Sequence, residues 1–314
     1  GAGARAAAPR RERLRRLLEA RNGLPGLEAY CVRGGAADAE RAAEIFRASG
    51  FVVILDALSP RQTVQLLLGC AREAAEVLRV DPERQGNRGQ GRYSMGEAQR
   101  TGHLLHCEEW AMLVDLPTVT PALRRIFGDA GYVCAGAGGD FVVEGVEEYQ
   151  PLHMDLRFPG SHDQQEAPVV TLNVAVVPLT WENGPTRVIP GTQVPQGGLP
   201  PDAWEPPPET AEPEDWKLFT LGPLPAGCAV LRDNRLWHGG TPNLSQQPRY
   251  LPNCEFAASW WCRGSTTSLW RNPWVLAPRC MPRGLYGRLS PHGQDVCRLV
   301  VTDEDLDFGV RDDL

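Results

Sequence analysis

Apolar and polar positions change their spacing partway along the chain. Residues 37–49 (ADAERAAEIFRAS) carry apolar side chains at helical spacing and stop at Gly50, which predicts a glycine-closed helix. Phe51 to Leu55 is an unbroken apolar run of strand length. Ser59-Pro60 then opens a second helix, with Ser59 as N-cap and Pro60 at the first helical position. Its predicted buried face is Val64, Leu67, Leu68, Ala71, Ala74 and Ala75. Residues 81–96 hold four glycines and three arginines and read as a loop, and 117–128 as a helix begun by Thr118 or Thr120. From about residue 131 short strand-like runs alternate with turns: 131–135, 140–144, 149–157, 168–177, 186–190, 216–220, 227–232 and 250–260.

That pattern predicts a mainly β fold with flanking helices, its core a sandwich or barrel. The expected organisation is a basic extension over 1–36 and a single domain over 37–314. Within the domain, N-terminal helices run to about 130, the β core spans 131–262, and a C-terminal extension covers 263–314. The segment 194–214, with seven prolines and five acidic residues, lies between the chemistry-bearing histidines and reads as an insertion rather than a linker.

Composition narrows the function. Across 314 residues the net charge is −7, which gives nucleic-acid binding no electrostatic support. No apolar run approaches the roughly 20 residues that span a bilayer. The nine cysteines are scattered without a C-x-x-C pair, arguing against a disulfide framework or zinc knuckle and for reduced thiols in an intracellular, by default cytoplasmic, setting. Residues 1–22 hold seven arginines against two glutamates. They read as a solvated basic helix packing through Leu14, Leu17 and Leu18, or as an organelle-targeting remnant. Nothing in the sequence specifies an oligomeric state.

The chemistry lies in His153-Met154-Asp155 and, much later, His238 and Arg249. Two imidazoles and one carboxylate can hold Fe(II) on one face of an octahedron, leaving positions open. On a strand, positions i and i+2 share a side, so one segment can present both His153 and Asp155. His238 follows an apolar strand and precedes a Gly239-Gly240 turn. Arg249 opens the next strand, and a buried arginine needs an anion, either a dicarboxylate or a structural carboxylate partner.

These residues, with Glu182 to Thr192 (ENGPTRVIPGT), Trp237 to Asn243 (WHGGTPN) and Gly50 to Val53, resemble the phytanoyl-CoA dioxygenase family of Fe(II)/2-oxoglutarate oxygenases over roughly residues 40–262. The resemblance implies a double-stranded β-helix, or jelly-roll, cupin-like core. It implies His153, Asp155 and His238 as iron ligands and as the catalytic centre. Arg249 would grip the far carboxylate of 2-oxoglutarate, supported by Thr241, with Asn173 as a further cosubstrate contact. The family often carries a hydroxyl one position before Thr241, where this chain has Gly240, and a histidine where it has Gln193. The implied chemistry consumes 2-oxoglutarate and O2, with ascorbate as a supporting reductant, and hydroxylates a small organic molecule. Retention of Asp155 argues against halogenation. Desaturation and ring formation use the same iron and stay open. A non-catalytic jelly-roll binding protein and a cupin-type metalloenzyme without 2-oxoglutarate are the alternatives; the full ligand set and Arg249 argue against both.

Other residues carry weaker signals. His103 and His106, read at helical spacing, have no further ligand beside them and read first as packing residues, with a place lining the substrate pocket or a second metal as the alternatives. Arg92-Tyr93-Ser94 and Arg157 are candidate substrate contacts, and His162 reads first as part of a solvated turn, or else as flanking the mouth of the site. Trp260, Trp261, Trp270 and Trp274 read as core or dimer contacts.

Overall fold

The computed structural model describes residues 2–157, 166–197, 203–263 and 279–314. Its strands are β1 (Cys31–Val32), β2 (Phe51–Ile54), β3 (Arg92–Ser94), β4 (Tyr132–Val142), β5 (Val169–Val174), β6 (Thr186–Val188), β7 (Ala229–Asp233), β8 (His238–Gly240), β9 (Arg249–Ala258), β10 (Met281–Pro282) and β11 (Val301–Thr302). Its helices are α1 (Ala2–Arg21), α2 (Ala39–Ser49), α3 (Pro60–Val80), α4 (Glu108–Ala111), α5 (Thr120–Phe127), α6 (Ser259–Arg263), α7 (Arg283–Tyr286) and α8 (Pro291–Cys297).

Seven strands form one sheet in the order β1-β2-β7-β5-β9-β4-β3, and β6 with β8 forms a small second ladder facing it. This is the expected mainly β, jelly-roll arrangement with flanking helices. The sheet has two differently used faces because side chains alternate along each strand. Val170, Leu172, Val174, Leu231, Cys254 and Phe256 point outward into the main core, where α2, α3, α5 and α8 cover them. Their sequence neighbours face the second ladder. At one end that inner space is filled by Val53, Leu179, Val188, Leu224, Val230 and Leu251. At the other end it is hollow.

The local signals explain the N-terminal elements. Gly50 takes a left-handed φ of 82° to end α2. Ser59 and Gln62 close a reciprocal capping box at the start of α3. The buried face of α3 differs from the predicted one. Thr63, Leu66, Cys70, Ala74 and Val77 are buried, whereas Val64, Leu68, Ala71 and Ala75 are exposed. Apolar residues flank both sides of the true stripe, so composition alone centred it about one residue off.

The β region departs from prediction in three places. The runs 131–135 and 140–144 are one strand, β4, continuous through its glycines. Residues 216–220 include a short 3-10 helix, Glu214–Leu218, rather than a strand. Residues 149–157 are extended but bridge a neighbour only at His153. On the flanks, α1 buries Leu18, while Leu14 packs partly and Leu17 stays largely exposed. The Pro-rich insertion docks through a fully buried Arg187–Glu212 ion pair and a Trp204–Trp237 stack at 4.7 Å. Cys280, Met281, Val296, Cys297 and Val300 bring the C-terminal segment into the main core. All nine cysteines are free. Among the described residues no helix is long and apolar enough to cross a membrane.

The corrected face of α3 is testable. Leu66→Ala should cost about 3 kcal/mol in urea unfolding through cavity formation, whereas Leu68→Ala should stay within about 0.5 kcal/mol.

Candidate metal centre

Two backbone hydrogen bonds build the centre. The His153 N–H donates to the His238 carbonyl and the His238 N–H to the His153 carbonyl, each at 2.9 Å. This reciprocal pair adds the 150–153 segment to the free edge of β8, opposite β6, and sets the two imidazoles side by side with ring centroids 4.3 Å apart. The chain then bends, and the N–H groups of Asp155 and Leu156 both donate to the Asn234 carbonyl, at 2.9 and 3.0 Å. Asp155 therefore reaches the histidines from a bend, not from the regular strand that the H-x-D spacing suggested. His238 likewise opens a short strand whose next members are Gly239 and Gly240, rather than preceding a turn.

One ligand atom from each of His153, Asp155 and His238 can be chosen so that all lie within 4.8 Å of one another. The His153 and His238 Nε2 atoms are 3.6 and 3.5 Å from Asp155 oxygens. The His153 and His238 Nδ1 atoms sit 3.0 and 2.9 Å from the Pro151 and Leu236 carbonyls, acceptors that fix the proton on Nδ1 and leave Nε2 as the open lone pair. Two neutral nitrogens and one carboxylate converging this way fit a divalent iron.

Arg232 conditions the set. Its Nη2 donates to Asp155 Oδ2 at 2.6 Å, and its Nη1 lies 3.2 Å from His238 Nδ1, a contact without a hydrogen bond because that nitrogen carries the proton. Burial opposes ionisation of Asp155, but Arg232, His238 and His153 outweigh it and hold the carboxyl well below its usual range. Burial and then Arg232 push His238 well below the usual imidazole value, keeping it neutral. A buried Arg235–Asp233 pair at 2.7 Å braces the turn that delivers His238.

The centre opens into a cavity of about 310 Å³. Strand register orders its wall, since directly opposed residues share a face. Arg92, Val142 and Arg249 stand in one row across β3, β4 and β9, and Ser94, Asp140 and Leu251 in the next. Gly138, Asn253 and Asn173 form the third row, and Gly136, Glu255, Thr171 and Arg232 the fourth. Arg249 thus marks one end and the Arg232–Asp155 pair the other.

Arg249 is nearly fully buried, with its Nε donating to the Gly184 carbonyl at 2.9 Å. Gly184 holds a φ of 75°, so the N-G-P turn presents that carbonyl. No carboxylate lies within 4.0 Å of Arg249 among the described residues. Burial, and then Arg92, push it down to about 10, with Asp140 pulling the other way. Arg92 is also buried, donates to the Glu148 and Thr241 carbonyls at 2.8 Å each, and is pushed by burial to about 10. A Cβ on Gly240 would come within 2.5 Å of Arg92 Nη1, so glycine there is what lets the guanidinium in. Thr241 is placed differently from expectation. Its hydroxyl donates to the Pro185 carbonyl at 2.6 Å, and it does not line the cavity. Asn173 does line it.

Asp140 and Glu255 carry accessible surface because they face the cavity, yet both lie deep in the protein. Burial raises Asp140, against Arg88 and Arg249, and lifts Glu255 to about 7, helped by Asp155 and opposed by Arg232. Sequence reasoning passed over Arg232, Asn253 and Glu255. The available signals were a charge inside the apolar run 227–232, and polar residues at 249, 253 and 255 with strand periodicity.

Of the remaining candidates, Tyr93, Ser94 and His103 line the cavity, and the other described ones do not. His103 and His106 lie in turns rather than on a helix. His103 Nδ1 contacts Cys280 Sγ at 3.0 Å, and His106 stacks on Phe308 at 4.3 Å. Arg157 pairs with Glu205 at 2.8 Å. Asn243 is buried and donates to three carbonyls, holding the β8–β9 loop. Trp260 and Trp261 pack against the main core. His162, Trp270 and Trp274 lie outside the described residues.

Among solved structures, the epimerase SnoN in complex with Fe3+, alpha ketoglutarate and nogalamycin RO is similar in fold, at 19% identity over 70% of this chain and 84% of that one, with a TM-score of 0.51. AviO1 from Streptomyces viridochromogenes Tue57 aligns at 20% identity over 72% of this chain and 96% of that one, TM-score 0.48. The non-heme monooxygenase ThoJ aligns as its nickel complex at 18% over 69% and 76%, TM-score 0.47. Jelly roll and ligand set together define a non-haem iron, 2-oxoglutarate-dependent enzyme. Residues 46–251 match the family of phytanoyl-CoA dioxygenase (PhyH), and the chain belongs to that family.

Glu255 yields a stability prediction. Its folded pKa of about 7 exceeds the unfolded value of about 4.3. The neutral form is the one the fold favours, so its contribution is complete below the unfolded value and is lost as pH rises to about 7. In the metal-free protein, Glu255→Gln should therefore gain stability over wild type between about pH 4.3 and 7 and hold that gain above, as read by urea denaturation at stepped pH.

Proposed function

We propose that this chain hydroxylates a small organic molecule, consuming 2-oxoglutarate and O2 and releasing succinate and CO2. The observation that carries the reading is the convergence of His153, Asp155 and His238 at one end of a cavity whose other end holds two buried arginines. Iron bound there would supply the oxygen activation, coupled to oxidative decarboxylation of 2-oxoglutarate, that inserts oxygen into a C–H bond.

Each residue has a part that follows from its place. His153 and His238 offer Nε2 because carbonyls hold their Nδ1 protons. Asp155 offers a carboxylate that Arg232 keeps ionised and oriented. Arg249 and Arg92 form the positive pole for the distal carboxylate of the cosubstrate, a planar anion suited to guanidinium forks. Asn173, midway along the wall, is placed to contact the cosubstrate between the two ends. Thr241 acts through Arg92, which it holds by its carbonyl, rather than by its own hydroxyl. The substrate enters the same cavity beside the iron and away from the arginines.

Succinate formation with a panel of small molecules should require both iron and 2-oxoglutarate and should vanish in Asp155→Ala. Turnover by that variant at the parental rate would remove the ligand assignment. In nickel-loaded protein, Arg249→Leu and Arg92→Leu should each weaken 2-oxoglutarate binding roughly tenfold or more, the scale of one charge-assisted hydrogen bond. Gly240→Ala should do so more mildly by displacing Arg92. Unchanged cosubstrate affinity in Arg92→Leu would leave Arg249 as the sole anchor.

A further inference from the structure

Between the buried arginines and the metal centre, the cavity wall carries polar groups that no other side chain of the fold bonds. Asn253 and Glu255 of β9 are successive members of one face, and Asn173 of β5 stands directly opposite Asn253. All three are half-buried and line the cavity. Among the described residues, none of the three side chains has a hydrogen-bond or ion-pair partner. Thr171, in the same row as Glu255, shows the contrast: its hydroxyl donates to Asn234 at 2.6 Å. The polar atoms of Asn173, Asn253 and Glu255 stay open to the cavity, where water or a ligand can bond to them.

The charges of the wall cancel. Arg88, Arg92, Arg232 and Arg249 face Glu97, Asp140, Asp155 and Glu255. Arg232 pairs with Asp155 at 2.6 Å and Arg88 with Glu97 at 2.7 Å. A dication and a doubly charged cosubstrate add nothing to the sum. The wall therefore carries at most one excess positive charge, when Glu255 is protonated, and it offers hydrogen bonds where an acyl chain would need hydrocarbon. An acyl chain laid over Asn253 and Glu255 would leave an amide and a carboxyl unpaired and desolvated. A carboxyl accepting from adjacent hydroxyls, with an amide that both donates and accepts beside it, satisfies all of these groups at once. The volume of about 310 Å³, shared with the cosubstrate, suits a compact ligand.

We propose that Asn253 and Glu255 form the substrate-recognition patch of this enzyme, and that the substrate is an uncharged, polyhydroxylated molecule of sugar-like size rather than a fatty acyl chain. This rests on the oxygenase reading in one respect, that the cavity is where substrate meets the iron.

The test uses the nickel-loaded protein with 2-oxoglutarate, which cannot turn over. Methyl hexosides and myo-inositol are titrated against octanoate, with binding read by saturation-transfer NMR. At least one polyol should bind saturably and octanoate should not. Glu255→Leu and Asn253→Leu should each weaken that polyol roughly tenfold or more, with nickel and 2-oxoglutarate affinities within about twofold of wild type. Neither substitution removes a partner from another residue, so both should fold; Glu255→Gln, expected to lose affinity less steeply, separates a lost hydrogen bond from added bulk. Binding of octanoate in preference to every polyol, absence of polyol binding, or polyol affinity indifferent to both leucine variants would overturn the proposal. Cosubstrate binding is read in the same titrations, so its failure counts against the oxygenase reading alone.

Discussion

The reciprocal backbone hydrogen bonds between His153 and His238 are the constraint from which the site follows. They are ordinary antiparallel ladder bonds, yet they fix the distance and tilt of two imidazoles remote in sequence. Everything else at the centre refines that pairing. The double bond from Asp155 and Leu156 to the Asn234 carbonyl turns the chain so that the carboxylate joins the histidines. Arg232, one strand-end earlier than His238, then holds that carboxylate charged. A jelly roll suits this task because its two layers bring a small ladder edge opposite a broad sheet.

The broad sheet performs two functions on its two faces. Outward residues such as Leu172, Cys254 and Phe256 bind the helices. Inward residues in the same strands hold no core at the hollow end and carry arginine, asparagine and glutamate instead. The unfavourable burial of Arg249, Arg92 and Glu255, visible in their displaced ionisation, is tolerated because the surrounding sheet is anchored from its other side. Function is thus concentrated where packing is absent, and stability where chemistry is absent.

Much of the site was legible in the chain, but not always for the reason given. The H-x-D spacing suggests a strand with two side chains on one side; the residues do converge, but through a bend. The family resemblance implies a cosubstrate contact for Thr241, whereas its hydroxyl donates to the Pro185 carbonyl and its own carbonyl positions a cavity residue. Gly240 looked like a missing hydroxyl, whereas the space is occupied by Arg92 from a segment read as a loop. The face of α3 was misplaced because apolar residues lie on both sides of its buried stripe.

The sequence by itself determined most of the element types and the caps at Ser59 and Gly50, and it singled out His153, Asp155, His238 and Arg249 as candidates, because these depend on local periodicity, turn chemistry or residue types whose burial demands a partner. Only the tertiary structure decided which carboxylate Arg232 would neutralise, that Arg92 would stand beside Arg249, and that Asn253 and Glu255 would be left facing open space. Those outcomes depend on strand register and on the approach of distant segments. A one-residue shift in pairing would have sent every one of those side chains to the opposite face.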